Sequence, residues 1–358
     1  MHPLASRAAD LPLSRTSVPL RASSGRPRRR PTVALAMRDE ALRGALFSEA
    51  LWSRLAELAD VAVESVVTDF DREDLADVDV LLTGWGCPTV DRTVLRRLPK
   101  LALIAHLAGT VKGHLDPVCW QRGITVTTAA TANAVPVAEF TLAQILLSNK
   151  AVHAASRQYT DLRRRPAPDP TRTVGNYQRT VGVIGASTIG RLVLDLLRPF
   201  DLEIVLADPT LTTVEAAELG ARLVDLDELM SVSDVVSLHA PVLPSTVGMI
   251  GARQLARMRD GTTFINTARG VIVDHHALRT ELITGRISAV LDVTDPEPLA
   301  ADDALFGLPN VVLTPHLAGS VGTELHRLTA TALQEVEAFA AGRAPLHPVA
   351  ATDLATMA

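Results

Sequence analysis

The sequence has little of the residues that would indicate a metalloprotein, a secreted protein or a membrane protein. Its two cysteines, Cys87 and Cys119, lack the CxxC spacing and the nearby histidines of a metal site. We therefore expect reduced thiols, no metal and a cytoplasmic location. We find no apolar run that reaches the length of a membrane span. The formal net charge of −5 gives no reason to expect nucleic acid or a membrane as a partner.

Lysine is also scarce, and seven of the many arginines lie in residues 1–31 beside a single acid, Asp10. This segment is rich in Ser, Pro and Ala as well. Organelle transit peptides have such a composition, and so do unstructured extensions. We expect a disordered basic tail, with a targeting segment as the alternative.

From residue 32 onward, short apolar runs alternate with stretches of helix length, such as residues 40–59. This alternation predicts βαβ units and parallel sheets. We predict an α/β protein with two doubly wound domains, a discontinuous flavodoxin-like domain (32–135 with 322–348) and an inserted Rossmann domain (136–321). A cleft between domains is a common place for a ligand. The predicted strands lie at 32–37, 79–84, 101–106 and 124–128, and then at 181–184, 203–208, 221–224, 234–239, 262–267, 288–293 and 311–314.

The predicted domain junctions carry long helices, at residues 135–158 and 322–341. Between the first of these helices and the second series of strands, the arginines and prolines of residues 163–170 predict a surface connection.

The stretch "VGVIGASTIG" at residues 181–190 has the pattern of a strand, a phosphate-binding turn and a helix. Gly185 permits the tight turn and Gly190 lets the helix pack on the strand, while Ser187 stands where the usual motif has its middle glycine. The following strand ends at Asp208, where the motif places a carboxylate on the adenosine ribose. The residues after Asp208 offer no arginine for a 2′-phosphate, which favours NAD over NADP. An ordinary strand–helix turn is the alternative.

Three later segments place an arginine, two acids and a histidine after predicted strands. Arg269 follows one strand, Asp292 ends the next and Glu297 lies five residues on, and His316 follows the last. Ligands of an open parallel sheet sit beyond the carboxyl ends of its strands. Histidine suits reversible proton transfer, a carboxylate orients it and a guanidinium binds a carboxylate ligand. Taken singly, these residues also fit a surface ion pair, a solvated loop acid and a helix cap.

With "NAVPVAEFTLAQIL", "SDVVSLHAPVLPST", "FINTARGVIVD", "LDVTDPEPL" and "NVVLTPHLAGS", the chain resembles the D-isomer-specific 2-hydroxyacid dehydrogenase family over most of residues 32–348. The resemblance implies that Arg269, Glu297 and His316 are the catalytic residues, with Arg269 and His316 also touching substrate. It implies that the backbone of Ala108 and Gly109 meets the substrate carboxylate. It further implies NAD as cofactor and a homodimer. The implied cofactor contacts are Thr110, Gly185, Ser187, Thr188, Ile189, Gly190, Asp208, Ala240, Thr267, Asp292 and Gly319.

These observations predict an NAD-dependent oxidoreductase that interconverts a D-2-hydroxy acid and its 2-keto acid, with reduction favoured. An NAD(H)-sensing corepressor of the same fold is one alternative. A pathway-specific dehydrogenase of a phosphorylated or phosphonate acid is another, because Lys112, in an atypical substrate loop with His114, is a candidate for binding a second anionic group of the substrate. A solvated surface lysine is the alternative for Lys112. Trp85 is a candidate wall of the substrate pocket, and burial against the sheet is equally plausible.

Overall fold

The computed structural model describes residues 30–165 and 174–355. The expectations of a basic tail at residues 1–31 and of a connection at 163–170 fall mostly outside these described residues. The chain divides into two compact units. Unit 1 takes the chain up to Asn133 and again from Ser320, and unit 2 takes Ala134–Gly319. The predicted domain junctions lie two residues further along the chain at both crossings.

Unit 1 is built on a parallel sheet with the strand order β2-β1-β3-β4-β5, which is the flavodoxin-like order. Every residue of the two strands β3 and β4 is buried, because helices cover both faces of such a sheet. The two-residue strand β2 escaped prediction because it is too short to give a pattern. The strands are β1 (Thr32–Ala36), β2 (Asp60–Val61), β3 (Val80–Thr83), β4 (Leu103–His106) and β5 (Thr125–Thr128).

Two apolar clusters form the core of unit 1, one on each face of the sheet. The last helix supplies Leu328, Leu333 and Val336 to one of them. The helix-length stretch at 40–59 contains two helices, because Ser48 caps the second by accepting a hydrogen bond from the Leu51 N–H. The helices of unit 1 are α1 (Glu40–Leu46), α2 (Glu49–Leu58), α3 (Arg92–Arg97), α4 (Val118–Gln121) and α12 (Leu325–Ala340).

Unit 2 is built on a parallel sheet with the order β12-β11-β10-β9-β6-β7-β8. Numbered within the unit, its first six strands have the Rossmann order 3-2-1-4-5-6, and the seventh adds to the edge. Each of the seven predicted strands is present. They are β6 (Arg179–Ile184), β7 (Leu202–Ala207), β8 (Arg222–Leu223), β9 (Val235–Leu238), β10 (Thr263–Asn266), β11 (Ser288–Leu291) and β12 (Val311–Leu313).

The expected single helix over 135–158 is wrong, because Ala151 takes a left-handed conformation with φ of 51° and separates two helices. The helix before this break begins in unit 1 and continues into unit 2. The remaining helices are α5 (Ala130–Asn149), α6 (Val152–Leu162), α7 (Thr188–Leu197), α8 (Thr213–Glu218), α9 (Leu226–Val232), α10 (Ala252–Arg257) and α11 (His275–Thr284).

Helix α5 corrects the statement that no apolar run has the length of a membrane span. Its 20 residues, with a mean hydropathy of 1.3, are long and apolar enough to cross a membrane by length and composition. Composition does not separate such a span from a core helix. Thr141 of this helix is fully buried, and its hydroxyl lies 3.0 Å from the hydroxyl of Thr267, which is the contact of a helix packed inside unit 2.

Candidate dinucleotide and catalytic site

The turn between β6 and α7 has the steric features of a phosphate-binding turn. Gly185 has φ of +91°, and a Cβ there would lie 2.7 Å from the Ala240 nitrogen. A Cβ on Gly190 would lie 2.1 Å from the carbonyl oxygen of Gly185. Because only glycine fits at either position, the helix begins directly at the strand end, with its free N–H groups exposed to a ligand.

Ser187 is the N-cap of α7. Its φ and ψ of −62° and 177° are extended, and its hydroxyl accepts a hydrogen bond of 3.3 Å from the Gly190 N–H. Serine is among the preferred N-cap residues. The side chain that departs from the glycine motif therefore satisfies a free donor of the helix while the turn keeps its shape.

Asp208 follows β7 and holds the phosphate turn from one side. One carboxylate oxygen accepts from the Ala186 N–H at 2.7 Å, and the other accepts from the backbone N–H and the hydroxyl of Thr210. Burial acts to raise the pKa of Asp208, but the bonds from Thr210 and Ala186 outweigh it and leave that pKa below its usual value. The group is an anion at neutral pH and is held in a fixed orientation.

Arg191 holds the same turn from the other side, although no sequence pattern predicts a role for it. Its Nε donates to the Ala186 carbonyl at 2.9 Å, and its positive charge helps to lower the pKa of Asp208. The two backbone polar groups of Ala186 thus link Arg191 to Asp208, the carbonyl accepting from Arg191 and the N–H donating to Asp208. In the usual motif, an arginine that accommodates a 2′-phosphate lies near the ribose carboxylate after the second strand. Here the cation near Asp208 is Arg191, which belongs to helix α7.

The catalytic candidates follow three adjacent strands of unit 2. Arg269 comes after β10, Asp292 after β11 and His316 after β12, and these strands pair in parallel. Their carboxyl ends therefore lie along one edge of the sheet, the edge at which the phosphate turn also lies.

His316 and Glu297 form a direct pair. The Nδ1 atom of His316 lies 2.6 Å from Oε1 of Glu297, and both side chains are nearly half exposed. His316 has φ of +54°, a left-handed conformation that is uncommon outside glycine and is concentrated at functional sites. The pair presents the Nε2 atom of an oriented imidazole as its free proton-transfer group.

Asp292 organises the loop that carries His316. It is almost fully buried, and its carboxylate accepts from the Thr314 hydroxyl at 2.7 Å, the Leu317 N–H at 2.8 Å and the Ala318 N–H at 3.0 Å. The Asp292 carbonyl also accepts from the His316 N–H. These bonds stabilise the left-handed backbone at His316. The contact of Asp292 with the cofactor that the resemblance implies stays a prediction.

Arg269 lies beside the same pair. Burial lowers the pKa of Arg269 from its usual value, and the charge of Glu297 acts in the opposite direction. Its loop packs closely on the Glu297 loop, since a Cβ on Gly270 would lie 2.1 Å from the Thr294 backbone. The guanidinium stays cationic. It donates to the Ala268 carbonyl at 2.7 Å and lies near enough to Glu297 to feel its charge.

The remaining expected residues are distributed over both units. Ala240 and Thr267 are buried in unit 2, Ile189 and Gly319 are half-buried there, and Thr188 is exposed. Ala108, Gly109 and Thr110 belong to unit 1, in the loop after β4, where the Thr110 hydroxyl accepts from the Lys112 N–H. Trp85 also belongs to unit 1 and is 38% exposed. Within the described residues, no group of three or more potential ligands fits a metal ion.

Two sets of polar residues near these loops were missed. Asn266 ties the backbone of Arg269 by donating to its carbonyl and accepting from the Ala268 N–H. Thr83 bonds His106 inside unit 1. Neither set has a sequence spacing that identifies it. The turn after β10 brings Asn266 to Ala268 and Arg269, and the pairing of β3 with β4 brings Thr83 to His106.

The fold and this geometry define a protein with a Rossmann-type dinucleotide-binding domain. A model of the D-isomer specific 2-hydroxyacid dehydrogenase, NAD binding domain, matches residues 142–318. Glyoxylate reductase of Korarchaeum cryptofilum is 33% identical over 76% of this chain and 83% of its own length. The TT0316 protein from Thermus thermophilus has a crystal structure with 29% identity and a TM-score of 0.71, covering 89% of this chain and 100% of that one.

The chain therefore belongs to the D-isomer-specific 2-hydroxyacid dehydrogenase family. D-3-phosphoglycerate dehydrogenase of Mycobacterium tuberculosis is 34% identical over 81% of this chain. The match covers 55% of that protein's length, so this chain spans about half of the mycobacterial relative. Membership of the family confirms the predicted fold and a nicotinamide cofactor as the ligand of the Rossmann unit.

Proposed function

We propose that this protein is an NAD-dependent oxidoreductase that interconverts a D-2-hydroxy acid and its 2-keto acid, with reduction as the favoured direction. One observation carries the proposal. His316 and Glu297 form a bond of 2.6 Å, and the cationic Arg269 feels the charge of Glu297; all three follow strand ends at the sheet edge that also bears the phosphate turn. Proton transfer and anion binding are the two tasks that such a reaction requires of side chains.

The phosphate turn fits a dinucleotide because Gly185 and Gly190 leave no room for a Cβ, so that the backbone of residues 185–190 and the N-terminus of α7 would hold the pyrophosphate. Asp208 would accept from the adenosine ribose. Its fixed negative charge disfavours a 2′-phosphate, which supports NAD as the cofactor. When bound, the nicotinamide supplies or accepts the hydride.

The side chains of unit 2 perform the remaining steps. During reduction, His316 donates a proton from Nε2 to the carbonyl oxygen of the keto acid, and during oxidation it takes that proton back. Glu297 orients the ring through Nδ1 and stabilises its charged form. Arg269 binds the substrate carboxylate and polarises the carbonyl. In unit 1, the backbone of Ala108 and Gly109 stays the candidate for the substrate carboxylate that the family resemblance implies.

We also infer that the protein is a homodimer in the cytoplasm. Helix α6 has no buried residue, and it exposes Val152, Tyr159 and Leu162. Three large apolar side chains on one exposed helix are typical of an interaction surface. The cysteines Cys87 and Cys119 are buried and unpaired, as expected of a reducing compartment.

The proposal is tested by NADH oxidation against glyoxylate, hydroxypyruvate, pyruvate, phenylpyruvate, 2-oxoglutarate and phosphonopyruvate. Turnover of at least one keto acid is the expected result, and selective turnover of phosphonopyruvate would favour the phosphonate alternative. Tight NADH binding without turnover of any keto acid would favour the sensing alternative. Absence of both binding and turnover would contradict the dinucleotide site itself.

The His316→Ala variant tests the proton-transfer role. It should lose turnover by about 10²–10⁴-fold, because alanine removes the imidazole that Glu297 orients, while its Kd for NADH stays that of the wild type. His276→Ala changes an exposed histidine on α11 and serves as the matched control. Turnover that survives in His316→Ala would overturn the assignment.

A further inference from the structure

Unit 1 contains a buried pair of histidines that the proposed mechanism does not use. His106 is the last residue of β4 and is 3% exposed. Its ring centroid lies 4.6 Å from that of His114, with the two rings tilted by 38°. Its Nδ1 atom lies 2.9 Å from the hydroxyl oxygen of Thr83, the last residue of β3, which is fully buried. Two neighbouring strand ends and one loop meet at this ring.

The segment 107–114 connects the two histidines and includes Ala108 and Gly109. Its first N–H, that of Leu107, donates to the Thr83 carbonyl at 2.7 Å, and its last carbonyl, that of His114, accepts from the Val90 N–H at 2.7 Å. The backbone carbonyl groups of Thr83 and Thr110 lie within bonding reach of the His106 ring. The His106 side chain therefore contacts this segment near its middle and at its end.

Both rings are uncharged in the folded protein. Burial lowers the pKa of His106 to about 3, and the proximity of His114 adds to this effect. Burial also lowers the pKa of His114 to about 4. Among the described residues of β3, β4 and the loop, each ring faces no other ionisable group that shifts its pKa. The buried Nε2 atom of His114 has no hydrogen-bond partner within the described structure.

We propose that His106 and His114 are positioning residues whose stacked rings hold segment 107–114 against the end of β3, and so set the backbone of Ala108 and Gly109 for the substrate carboxylate. The proposal rests on the proposed function for its substrate, while the holding contacts lie wholly within unit 1. A displacement of about 1 Å in such a segment is enough to reduce catalysis about 100-fold.

The pair also makes the segment sensitive to acid. An opened segment exposes both rings to water, where each has a pKa of about 6.5. Below that pH the open form binds more protons than the closed form, so opening becomes more favourable as the pH falls. Two histidines increase the opening equilibrium by up to about 100-fold per pH unit, and one histidine by about tenfold. Reduction needs His316 protonated, so His316 does not by itself produce a loss on the acid side.

Hydrogen exchange and steady-state kinetics on the full chain test this proposal together. His106→Leu removes the bond to Thr83, His114→Leu removes the stacked ring, and His106→Gln keeps a polar group for Thr83. In both leucine variants we expect faster amide exchange in residues 107–114. The KM for the keto acid should rise about tenfold or more, with a smaller change in kcat and an unchanged Kd for NADH. His106→Gln should recover part of the KM, and His276→Leu is the exposed control.

The dependence of KM on pH distinguishes the proposed role from a merely structural one, which would leave that dependence unchanged. At acid pH values where the open form predominates, log KM of the wild type should rise with a slope approaching two per pH unit, and His114→Phe should reduce that slope to one while keeping a ring in place. Unchanged exchange in the leucine variants, or faster exchange with an unchanged KM, overturns the proposal. If the wild type turns over no keto acid, the proposed function fails, and the pH dependence of exchange in residues 107–114 decides whether the pair holds the segment.

Discussion

At the scale of single residues, a few hydrogen bonds orient the His316 side chain. The His316–Glu297 bond engages Nδ1 and leaves Nε2 as the other ring nitrogen, and Asp292 holds the backbone that carries this ring. Because Asp292 accepts three hydrogen bonds within one loop, the imidazole is oriented before any ligand binds. Such preorganisation avoids rearrangement during the reaction.

The charge of Glu297 is separable from its hydrogen bond. Glu297→Gln keeps an oxygen acceptor for Nδ1 of His316 and removes the negative charge that stabilises the imidazolium. We expect kcat for keto-acid reduction to fall by about 100-fold or more, with the Kd for NADH unchanged. The measurement is a pH profile of kcat beside a fluorescence titration with NADH. A kcat equal to that of the wild type would show that the charge has no catalytic part.

We expect the choice between NADH and NADPH to depend on Asp208 and its neighbour Arg191. Asp208→Asn retains an acceptor for the Ala186 N–H and removes the charge that repels a 2′-phosphate, while Arg191 stays to attract it. We expect the ratio of the Kd values for NADPH and NADH to fall about tenfold, which is the effect of about 1.4 kcal/mol. The double variant Asp208→Asn/Arg191→Ala should lose this gain. Equal ratios in the single and double variants would exclude Arg191 from the effect.

At the scale of the element, the junction of β6 and α7 shows why one serine is tolerated in a glycine motif. Gly185 and Gly190 meet backbone atoms and admit no side chain, whereas Ser187 points its hydroxyl back to the first turn of the helix. Steric constraints therefore require glycine at positions 185 and 190 only, while the residue at position 187 acts as the N-cap of α7.

Substitution of Ser187 separates capping from cofactor binding. Ser187→Ala should lower the free energy of unfolding by about 1 kcal/mol and Ser187→Gly by a few tenths, because glycine is a tolerated N-cap. Both variants should bind NADH as the wild type does. Urea unfolding and an NADH titration measure the two effects. Asp225→Ala, at the N-cap of α9, is the control for capping alone, and weaker NADH binding in Ser187→Ala would assign the hydroxyl to the pyrophosphate.

The elements that the sequence predicts well are those with a strong local pattern. The buried strands appear as short apolar runs, and their alternation with helices predicts the parallel sheets. The breaks at Ser48 and Ala151 were missed because capping and a left-handed residue interrupt an apolar periodicity that continues through them. The positions of Arg269, Glu297 and His316 after successive strands were predictable from their motifs. The roles of Arg191 and Thr83 were not, because their partners are brought near by the turn and the sheet.

At the scale of the whole molecule, buried histidines set the response to acid. Burial lowers the pKa of His106 and His239 to about 3 and of His114 to about 4, and it lowers the pKa of His275 and His153 from their usual value. These residues belong to both units. In the unfolded chain each would titrate near pH 6.5, so the unfolded state binds more protons below that pH.

The consequence is a loss of stability that begins in weakly acidic solution. Each deeply buried histidine lowers the free energy of unfolding by about 1.4 kcal/mol per pH unit between its unfolded and folded pKa values. Between pH 7 and pH 5 we therefore expect Tm to fall on the order of 10 °C, measured by calorimetry. Should two transitions appear, both should move, because both units contain such histidines.

Protonation of carboxylates lowers the stability in a different pH range from that of the histidines, so that the two contributions can be measured separately. The pKa values of Asp39, Asp208, Glu215 and Asp303 are lowered by hydrogen bonds that outweigh burial. Their stabilisation is present above pH 4 and is lost as the pH falls below it. The double variant His106→Gln/His114→Phe should reduce the decline between pH 7 and pH 5, which His239, His275 and His153 still cause in part, and leave the decline below pH 4 unchanged. A wild-type Tm that stays constant down to pH 4.5 would mean that the buried rings take up protons without unfolding.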